Sequence, residues 1–518
     1  MKIYNTLKKQ KEDFIPLEPG KVKMYACGIT VYDQCHIGHA RQAIAYDMIT
    51  KYLRFKGLEV KYVRNYTDVD DKIIARANDL GVNALDYSAD RIIDAEADLK
   101  ALDIADATVK PQASQYIPQI QKFVEGLINK GNAYATDNGD VYFSVDSFPQ
   151  YGELSGIKSD ELIEGTRKDI EPGKRSPKDF ALWKSAKPGE ISWESPWGEG
   201  RPGWHIECSA MAIDNLGETI DIHGGGQDLV FPHHENEKAQ SEALTGKTFV
   251  KTWTHSGLIT VDGQKMGKSL GNSVTIKQAL NAYDKEVIRY AMLSKHYSSP
   301  VDYNDKEFSL AEKHLYYFYN SLKSVKDYLA KADATNAPTT KEMMDINKKV
   351  SQIRENFINA MDDDFNSASA LSQLFATFKN VNSVLNSKGV SEEYKAEFFK
   401  QFNSTVLELY KVFGVLQYQP EQFIDQTREK YMKGLDITVP EIQQSIAERA
   451  TAKENKDYAK SDEIRNNLDA RGIILKDTRA GTTWDIKELY IRDLAALEKN
   501  AEQAKEVKPI SGTIKFNR

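Results

Sequence analysis

Two histidines near the N-terminus stand in a pattern that could bind phosphate. They lie in the run Cys35-His36-Ile37-Gly38-His39-Ala40-Arg41, between a short apolar stretch and a helical pattern. A helix N-terminus offers free backbone N–H groups and a positive dipole to an anion. His36 and His39 share one face of that first turn and can donate to a polyphosphate, while Gly38 lets a flat base approach. In isolation the run also fits two surface histidines at a helix start.

A second run pairs lysines with glycines, and it reads Asp262-Gly263-Gln264-Lys265-Met266-Gly267-Lys268-Ser269-Leu270-Gly271-Asn272. Lys265 and Lys268 in a mobile loop suit a clamp on phosphate charge that develops during a reaction. Alone, such a loop is usually a solvated turn. Its position downstream of the two histidines favours a shared phosphate site.

Two cysteines, a histidine and a glutamate form a third candidate set. Cys27 closes the first predicted strand, Cys208 lies far downstream, and His233 and Glu237 open a predicted helix. His233 and Glu237 share one helical face because they are four residues apart, whereas His234 is expected to point away from it. Two thiolates, an imidazole and a carboxylate would make a zinc shell. Spacing alone does not select this site, since each cysteine also fits a small buried apolar position.

Composition excludes several classes of protein. The 518 residues are 41% hydrophobic and 28% charged, which is typical of a globular chain of roughly three or four domains. No apolar run approaches the ~18 residues of a membrane helix, and no signal-peptide core is present, which predicts a cytoplasmic location. Three cysteines cannot form a disulfide framework. A net charge of −7 does not indicate a nucleic-acid binder, so any RNA surface must use local basic clusters.

The predicted elements place the first motif in a nucleotide-binding fold. A strand at 22–26, a helix from Ile37 capped at Gly57, and a strand around Val60 make a βαβ unit with a parallel sheet. Asn138-Gly139 predicts a two-residue type I′ hairpin inside an insertion, and the parallel fold resumes at 219–222. From about residue 304 the pattern is almost wholly helical.

The predicted class is therefore α/β, with a Rossmann-like catalytic domain that carries an insertion, then an all-α helical bundle and a small C-terminal domain. The predicted bounds are 1–110 for the first catalytic half, 111–200 for the insertion, 201–303 for the second half with the lysine loop, 304–420 for the bundle and 421–518 for the C-terminal domain.

These motifs resemble those of the cysteinyl-tRNA synthetases, a family of class I aminoacyl-tRNA synthetases. The two phosphate-binding runs are similar to the HIGH and KMSKS signatures. Three further family stretches stand as Cys27-Gly28-Ile29-Thr30-Val31-Tyr32, Gly203-Trp204-His205-Ile206-Glu207-Cys208-Ser209 and Phe231-Pro232-His233-His234-Glu235-Asn236-Glu237. Met361-Asp362-Asp363-Asp364-Phe365-Asn366 resembles a helical-domain motif, and 472–484 resembles the anticodon-side domain. The resemblance covers nearly the whole chain.

The resemblance implies a role for each matched residue. Its zinc ligands would be Cys27, Cys208, His233 and Glu237, and its amino-acid pocket would use Gly28, Thr67 and Trp204. Its catalytic residues would be His36, His39, Lys265 and Lys268, and its ATP-binding residues would be His36, Gly38, His39 and Lys268. Gly267 departs from the serine of the family signature, which removes a hydroxyl and adds flexibility. Cys35 is expected to pack beside the first helix rather than bind metal.

The family's reaction would activate L-cysteine with ATP and magnesium, then esterify the 3′-terminal adenosine of tRNA(Cys) through its 2′-hydroxyl. One zinc per chain would recognise the substrate thiolate. An apolar pocket separates near-isosteres by only about 1–3 kcal/mol, whereas zinc binds thiolate far better than hydroxyl. The resemblance further implies a monomer that contacts no membrane.

Two other functions remain as alternatives. A cysteine ligase acting on a small amine, as in the mycothiol pathway, would share the zinc and both signatures but would not need a C-terminal anticodon domain. A non-catalytic RNA-binding paralogue would usually lose the signature histidines or lysines, and this chain keeps them.

Overall fold

The structure is a computed structural model and describes residues 1–157, 173–267, 270–332, 336–478 and 481–490. The chain forms two compact units. One comprises residues 1–304 together with 359–367, and the other comprises 305–358 together with 368–518. The finer five-domain division stays a prediction.

The first unit mixes strands and helices. Its strands are β1 (Lys2–Asn5), β2 (Gln10–Asp13), β3 (Lys21–Thr30), β4 (Glu59–Thr67), β5 (Ala133–Ala135), β6 (Val141–Phe143), β7 (Phe180–Ser185), β8 (Gly200–Pro202), β9 (Ile220–Gly226), β10 (Val250–Ser256), β11 (Ile259–Val261), β12 (Gln264–Lys265) and β13 (Val301–Tyr303). Its helices are α1 (Ile37–Phe55), α2 (Asp71–Leu80), α3 (Ala84–Ala101), α4 (Ile117–Asn129), α5 (Trp204–Leu216), α6 (Glu235–Thr245), α7 (Ile276–Ala282) and α8 (Lys285–Leu293).

A parallel sheet in the order β10-β9-β3-β4 forms the centre of this unit. Ile44 and Met48 on α1 are fully buried, as the helical spacing predicts, and Gly57 takes a left-handed φ of 85° just after the helix. The predicted βαβ unit is therefore confirmed as β3-α1-β4. The direction of winding reverses between β3 and β9, and in open α/β sheets ligands bind beyond the carboxyl ends of strands at such a point.

Glycines at the end of β9 permit close packing against α1. A Cβ on Gly224 would lie 2.3 Å from Tyr46 Oη. That hydroxyl accepts from Gly225 N (2.7 Å), and its single proton lies within reach of the carbonyls of Thr254 (2.9 Å) and Gly225 (3.0 Å). Tyr46 therefore joins α1 to β9 and β10 at the carboxyl edge of the sheet.

Replacement of Gly224 by alanine is expected to lower the free energy of unfolding by about 3 kcal/mol, the upper end for overpacking a core. The added methyl would displace the Tyr46 ring and its hydrogen bonds. Thermal melting followed by circular dichroism would show the loss as a lower midpoint. Alanine at Gly389, where a Cβ meets no atom within 4 Å and φ lies outside the left-handed region, is the control for the substitution itself.

The inserted segment carries an antiparallel sheet in the order β5-β6-β7-β8. The hairpin predicted at Asn138-Gly139 forms between β5 and β6, but the two-residue type I′ turn is wrong. Gly139 has a φ of 89° while Asn138 is absent from the residues with positive φ, and a type I′ turn needs both. Gly139 N bonds Thr136 O, and Thr136 N bonds Asp140 O, so the loop has three residues and a glycine bulge.

The second unit is mainly helical. Its elements are α9 (Asp305–Lys331), α10 (Thr340–Asp362), α11 (Ser367–Asn386), α12 (Glu392–Tyr410), α13 (Pro420–Met432), α14 (Val439–Glu454), α15 (Tyr458–Ala470), β14 (Ile473–Thr478) and β15 (Gly481–Ile486). Leu315, Phe318 and Leu322 on α9 are buried, as their shared helical face predicts. β14 and β15 pair antiparallel after the last two helices. No helix in the described ranges is both long and apolar enough to span a membrane.

Candidate active site and metal centre

Four side chains from three places in the first unit meet in one buried cluster. Cys27 comes from β3, Cys208 from α5, His233 from the turn before α6, and Glu237 from the first turn of α6. One donor atom from each lies within 4.8 Å of the others, and every member is buried. Cys27 Sγ is 3.2 Å from Glu237 Oε1, and His233 Nε2 is 3.0 Å from the same oxygen. The structure thus brings together the whole set that the resemblance proposed, and this group could hold a metal ion.

The electrostatics of this cluster suit a cation. Burial acts to raise the pKa of Glu237, but His223 and His233 outweigh it and bring the pKa well below its ordinary value. A hydrogen bond with Cys27 lowers the pKa of Cys208 to about 6. Burial acts to lower the pKa of His233, but Glu237 and Cys208 raise it to about 10. A buried carboxylate and thiolate therefore favour positive charge between them.

The prediction that His234 points away from the cluster is wrong. Its Nε2 lies 3.3 Å from Cys27 Sγ and 3.9 Å from Glu237 Oε1. Residues three apart share a helical face as residues four apart do, and His234 lies three residues before Glu237 with helical backbone angles. His234 and His223 form a second four-donor group with Cys27 and Glu237.

Four further histidines surround this group. His223 Nε2 lies 2.8 Å from Glu237 Oε2, and His205 Nδ1 lies 3.0 Å from His233 Nδ1. His234 Nδ1 lies 2.8 Å from His255 Nε2. Burial lowers the pKa of His205, His234 and His255, so these rings are neutral. Such outer hydrogen bonds fix the tautomer and orientation of metal-binding side chains.

The three predicted pocket residues lie in different surroundings. Trp204 is 37% exposed, and its ring stacks on His233 with centroids 4.3 Å apart. Thr67 ends β4, where its hydroxyl accepts from Asn65 Nδ2 at 3.4 Å. Gly28 packs so closely that a Cβ would lie 1.6 Å from Asn65 O. Gly28 is thus required by backbone packing, and its contact with substrate stays a prediction.

His36 and His39 form the start of α1 in an ordered arrangement. His36 is the N-cap, and its Nδ1 accepts from Gly38 N at 3.1 Å. His39 Nδ1 accepts from His36 N at 3.3 Å, which completes a capping box. The rings stack with centroids 3.8 Å apart. Because Nδ1 accepts in both rings, a proton on Nε2 would give each ring one N–H donor.

The predicted lysine loop is described in part. Lys265 lies on the short strand β12 and is exposed, whereas Lys268 lies outside the described residues. Gly267 N donates to Asn272 Oδ1 at 2.9 Å, and Asn272 Nδ2 donates to Lys265 O at 3.1 Å. A Cβ on Gly38 would lie 3.2 Å from Met266 Cε, so the loop reaches the first signature.

Sequence reasoning missed Asp228, which follows β9. Burial raises its pKa, while the charges of His233 and Lys265 act to lower it. One carboxylate thus lies within electrostatic reach of both the metal cluster and the lysine loop. Its place just after a parallel strand, at the carboxyl edge, was the signal that could have found it. His205, His223 and His255 were missed because no local motif marks a second layer of ligand contacts.

Comparisons with known proteins agree with this geometry. The family model described as the tRNA synthetases class I (C) catalytic domain matches residues 13–313. The curated cysteine–tRNA ligase of Geotalea daltonii is 46% identical over 494 residues, covering 94% of this chain and 100% of the relative. The chain belongs to the cysteine–tRNA ligase family. Relatives of the same name from Geobacter sulfurreducens and Marinobacter nauticus are 47% and 48% identical, over 94% and 93% of this chain and 100% and 99% of their own lengths.

Further matches concern the helical region and the fold of this cysteine–tRNA ligase family member. A family model described as the DALR domain matches residues 356–417. Among solved structures, the Mycobacterium tuberculosis methionyl-tRNA synthetase bound to methionyl-adenylate superposes with a TM-score of 0.56 at 13% identity, over 78% of this chain and 91% of that one. A putative arginyl-tRNA synthetase from Campylobacter jejuni gives 0.52 at 12% identity, over 79% and 95%. These likenesses confirm the class I α/β fold with its helical region.

Proposed function

We propose that this chain activates L-cysteine with ATP and transfers it to the 3′-terminal adenosine of tRNA(Cys). The observation that carries the proposal is the buried group of Cys27, Cys208, His233 and Glu237, on the same α/β unit as the paired His36 and His39. Membership of the cysteine–tRNA ligase family supports it.

The cluster fits one zinc ion per chain. Two thiol sulfurs, an imidazole nitrogen and a carboxylate oxygen form a donor set that zinc favours, and outer histidines hold three of these groups. Bound by these donors, zinc would accept a thiolate as a further ligand far more readily than a hydroxyl, which separates cysteine from serine. Trp204 and Thr67 would enclose the rest of the substrate beside this group.

In the first step the cysteine carboxylate attacks the α-phosphate of ATP, which yields cysteinyl-adenylate and releases pyrophosphate. The Nε2–H groups of His36 and His39 would donate to the transferring phosphate. Lys265 would neutralise the leaving pyrophosphate, and Lys268 would join it from the same loop. Magnesium would accompany ATP, as it usually does with polyphosphates. Rate enhancement then comes from positioning and charge stabilisation.

In the second step the 2′-hydroxyl of the terminal adenosine attacks the activated carbonyl, and AMP leaves. The segment 421–518 would recognise the anticodon end of tRNA(Cys). We further propose that the protein acts as a cytoplasmic monomer.

The test is ATP–pyrophosphate exchange by the full chain, driven by cysteine or by serine, in zinc-loaded and chelated samples. We expect exchange with cysteine to exceed that with serine by more than about 200-fold, the limit that packing alone provides for a methylene-sized difference. Chelation should abolish both exchange and zinc content. Charging of tRNA(Cys) then separates the synthetase from a small-amine ligase, which would exchange but not charge tRNA. No exchange by the zinc-loaded, folded chain would favour a non-catalytic paralogue.

A further inference from the structure

Arg41 connects the helix of the first signature to backbone that follows the lysine loop. It lies on α1 two residues after His39 and is fully buried. Its guanidinium donates from Nη1 to the carbonyl of Met292 at 2.6 Å. From Nη2 it donates to three more carbonyls, those of His296 (2.6 Å), Tyr297 (2.9 Å) and Ser299 (3.1 Å). One side chain therefore gathers the 292–299 segment onto α1.

The charge of Arg41 suits this position. Met292 lies in the last turn of α8, where carbonyls lack partners within the helix and the helix dipole favours a cation. Burial lowers the pKa of Arg41 to about 10, so the guanidinium still carries its charge at neutral pH. Its planar fork reaches several carbonyls at once, which a single ammonium nitrogen cannot do.

The 292–299 segment in turn holds the strand that bears Lys265. Gly257 N donates to Tyr297 O at 2.9 Å, so the carbonyl that binds Arg41 also anchors the short link between β10 and β11. β11 pairs parallel with β13 just after the segment, and it pairs antiparallel with β12, where Thr260 faces Lys265. Hydrogen bonds and two short stretches of backbone thus connect α1 to Lys265.

The far end of the lysine loop is tied to the start of the same helix. Ile37 N donates to Val274 O at 3.0 Å, and Ile276 N donates to Cys35 O at 2.9 Å. Both ends of the loop are therefore connected to α1. The C-terminal end is bonded to the start of the helix directly, and the N-terminal end is connected to it through Arg41. The distance between the signature histidines and Lys265 depends on both connections.

We propose that Arg41 is a positioning residue that sets the base of the lysine loop relative to His36 and His39 for adenylate formation. This role rests on the proposed function. Arg41 contacts backbone carbonyls rather than the metal ligands or the predicted amino-acid pocket. It should therefore influence the rate of the chemical step and leave cysteine binding unchanged.

The test compares Arg41→Lys with the wild-type chain in ATP–pyrophosphate exchange. A displacement of about 1 Å in reacting groups costs on the order of 100-fold in rate, so we expect kcat to fall by roughly 30- to 100-fold. The KM for cysteine should stay within about twofold, and zinc content should not change. Arg54→Lys is the matched control, because Arg54 lies exposed on the same helix and its side chain donates to a single described partner, Val60 O, at 3.3 Å. That control should keep the wild-type kcat.

Thermal melting distinguishes positioning from simple stability. Arg41→Gln is measured alongside, and each variant is assayed well below its own melting midpoint. A folded Arg41→Lys protein with wild-type kcat would overturn the proposal. Failure of both variants to fold would also overturn it, since Arg41 would then be a structural core residue. A wild-type chain without exchange would refute the proposed function itself, which separates the two failures.

Discussion

Serine in place of Cys208 is expected to remove zinc from the protein and to lower cysteine-dependent exchange by about 1,000-fold, equivalent to about 4 kcal/mol of transition-state stabilisation. Cys208 supplies one of only two thiol donors in the group, and the hydrogen bond with Cys27 already lowers its pKa to about 6. A serine hydroxyl does not ionise near neutral pH and is a poor zinc ligand. Zinc per chain and exchange rate are measured on the same sample.

Cys35→Ser is the matched control for this change. Cys35 is as buried as Cys27, at 3% exposure each, but it belongs to neither of the described donor groups. Burial raises its pKa to about 12, so it remains a thiol. The same atom replacement there should lower the melting midpoint slightly, and it should leave one zinc per chain and the cysteine-dependent rate in place.

The second donor group defines what would contradict this prediction. His223 and His234 lie around Cys27 and Glu237 just as Cys208 and His233 do. A Cys208→Ser protein that retains a full equivalent of zinc would show that these two histidines hold the ion instead. If that protein also kept its preference for cysteine over serine, the assignment of Cys208 to substrate recognition would be wrong.

Local patterns were sufficient to predict the central fold. The helical spacing of apolar residues in α1, a capping glycine and two apolar strands predicted the β3-α1-β4 unit, because each of these signals lies within a short stretch of consecutive residues. The type I′ turn failed for a related reason. The dipeptide Asn138-Gly139 occurs in several types of hairpin turn. The turn type is decided by which residues of the two strands pair, here Thr136 with Asp140, and the dipeptide alone does not specify that pairing.

Prediction of the candidate metal site depended on the family resemblance rather than on the spacing of its residues. Cys27 and Cys208 come from elements that meet only when β9 and α5 pack beside β3, so their spacing carries no signal. Even within one short motif, His234 was misplaced, because a residue three positions before Glu237 shares its helical face just as a residue four positions before it does. Residues that hold the candidate metal ligands in place, such as His223 beside Glu237, have no local sequence signature and can be identified only in the folded structure.

Replacement of His36 by asparagine is expected to lower kcat for exchange by about 100-fold while the melting midpoint hardly changes. Two functions of one ring are separable here, since Nδ1 accepts from Gly38 N as the N-cap of α1 and Nε2 is the nitrogen proposed to donate to phosphate. Asparagine is among the best N-cap residues, and its oxygen can replace Nδ1. It cannot place a donor where Nε2 stands, and loss of a transition-state donor costs roughly 100- to 1,000-fold.

His36→Gln is the reciprocal variant, because its longer amide places an N–H group near the position of Nε2 but loses the capping geometry. We expect it to recover part of kcat and to lose about 1 kcal/mol of stability, the usual cost of an N-cap. If His36→Gln has the higher kcat and His36→Asn the higher melting midpoint, the result would show that an N–H donor at the Nε2 position stabilises the phosphate. If His36→Asn kept the wild-type rate, the first histidine of the signature would serve only to start the helix, and His39 and Lys265 would have to stabilise the transferring phosphate.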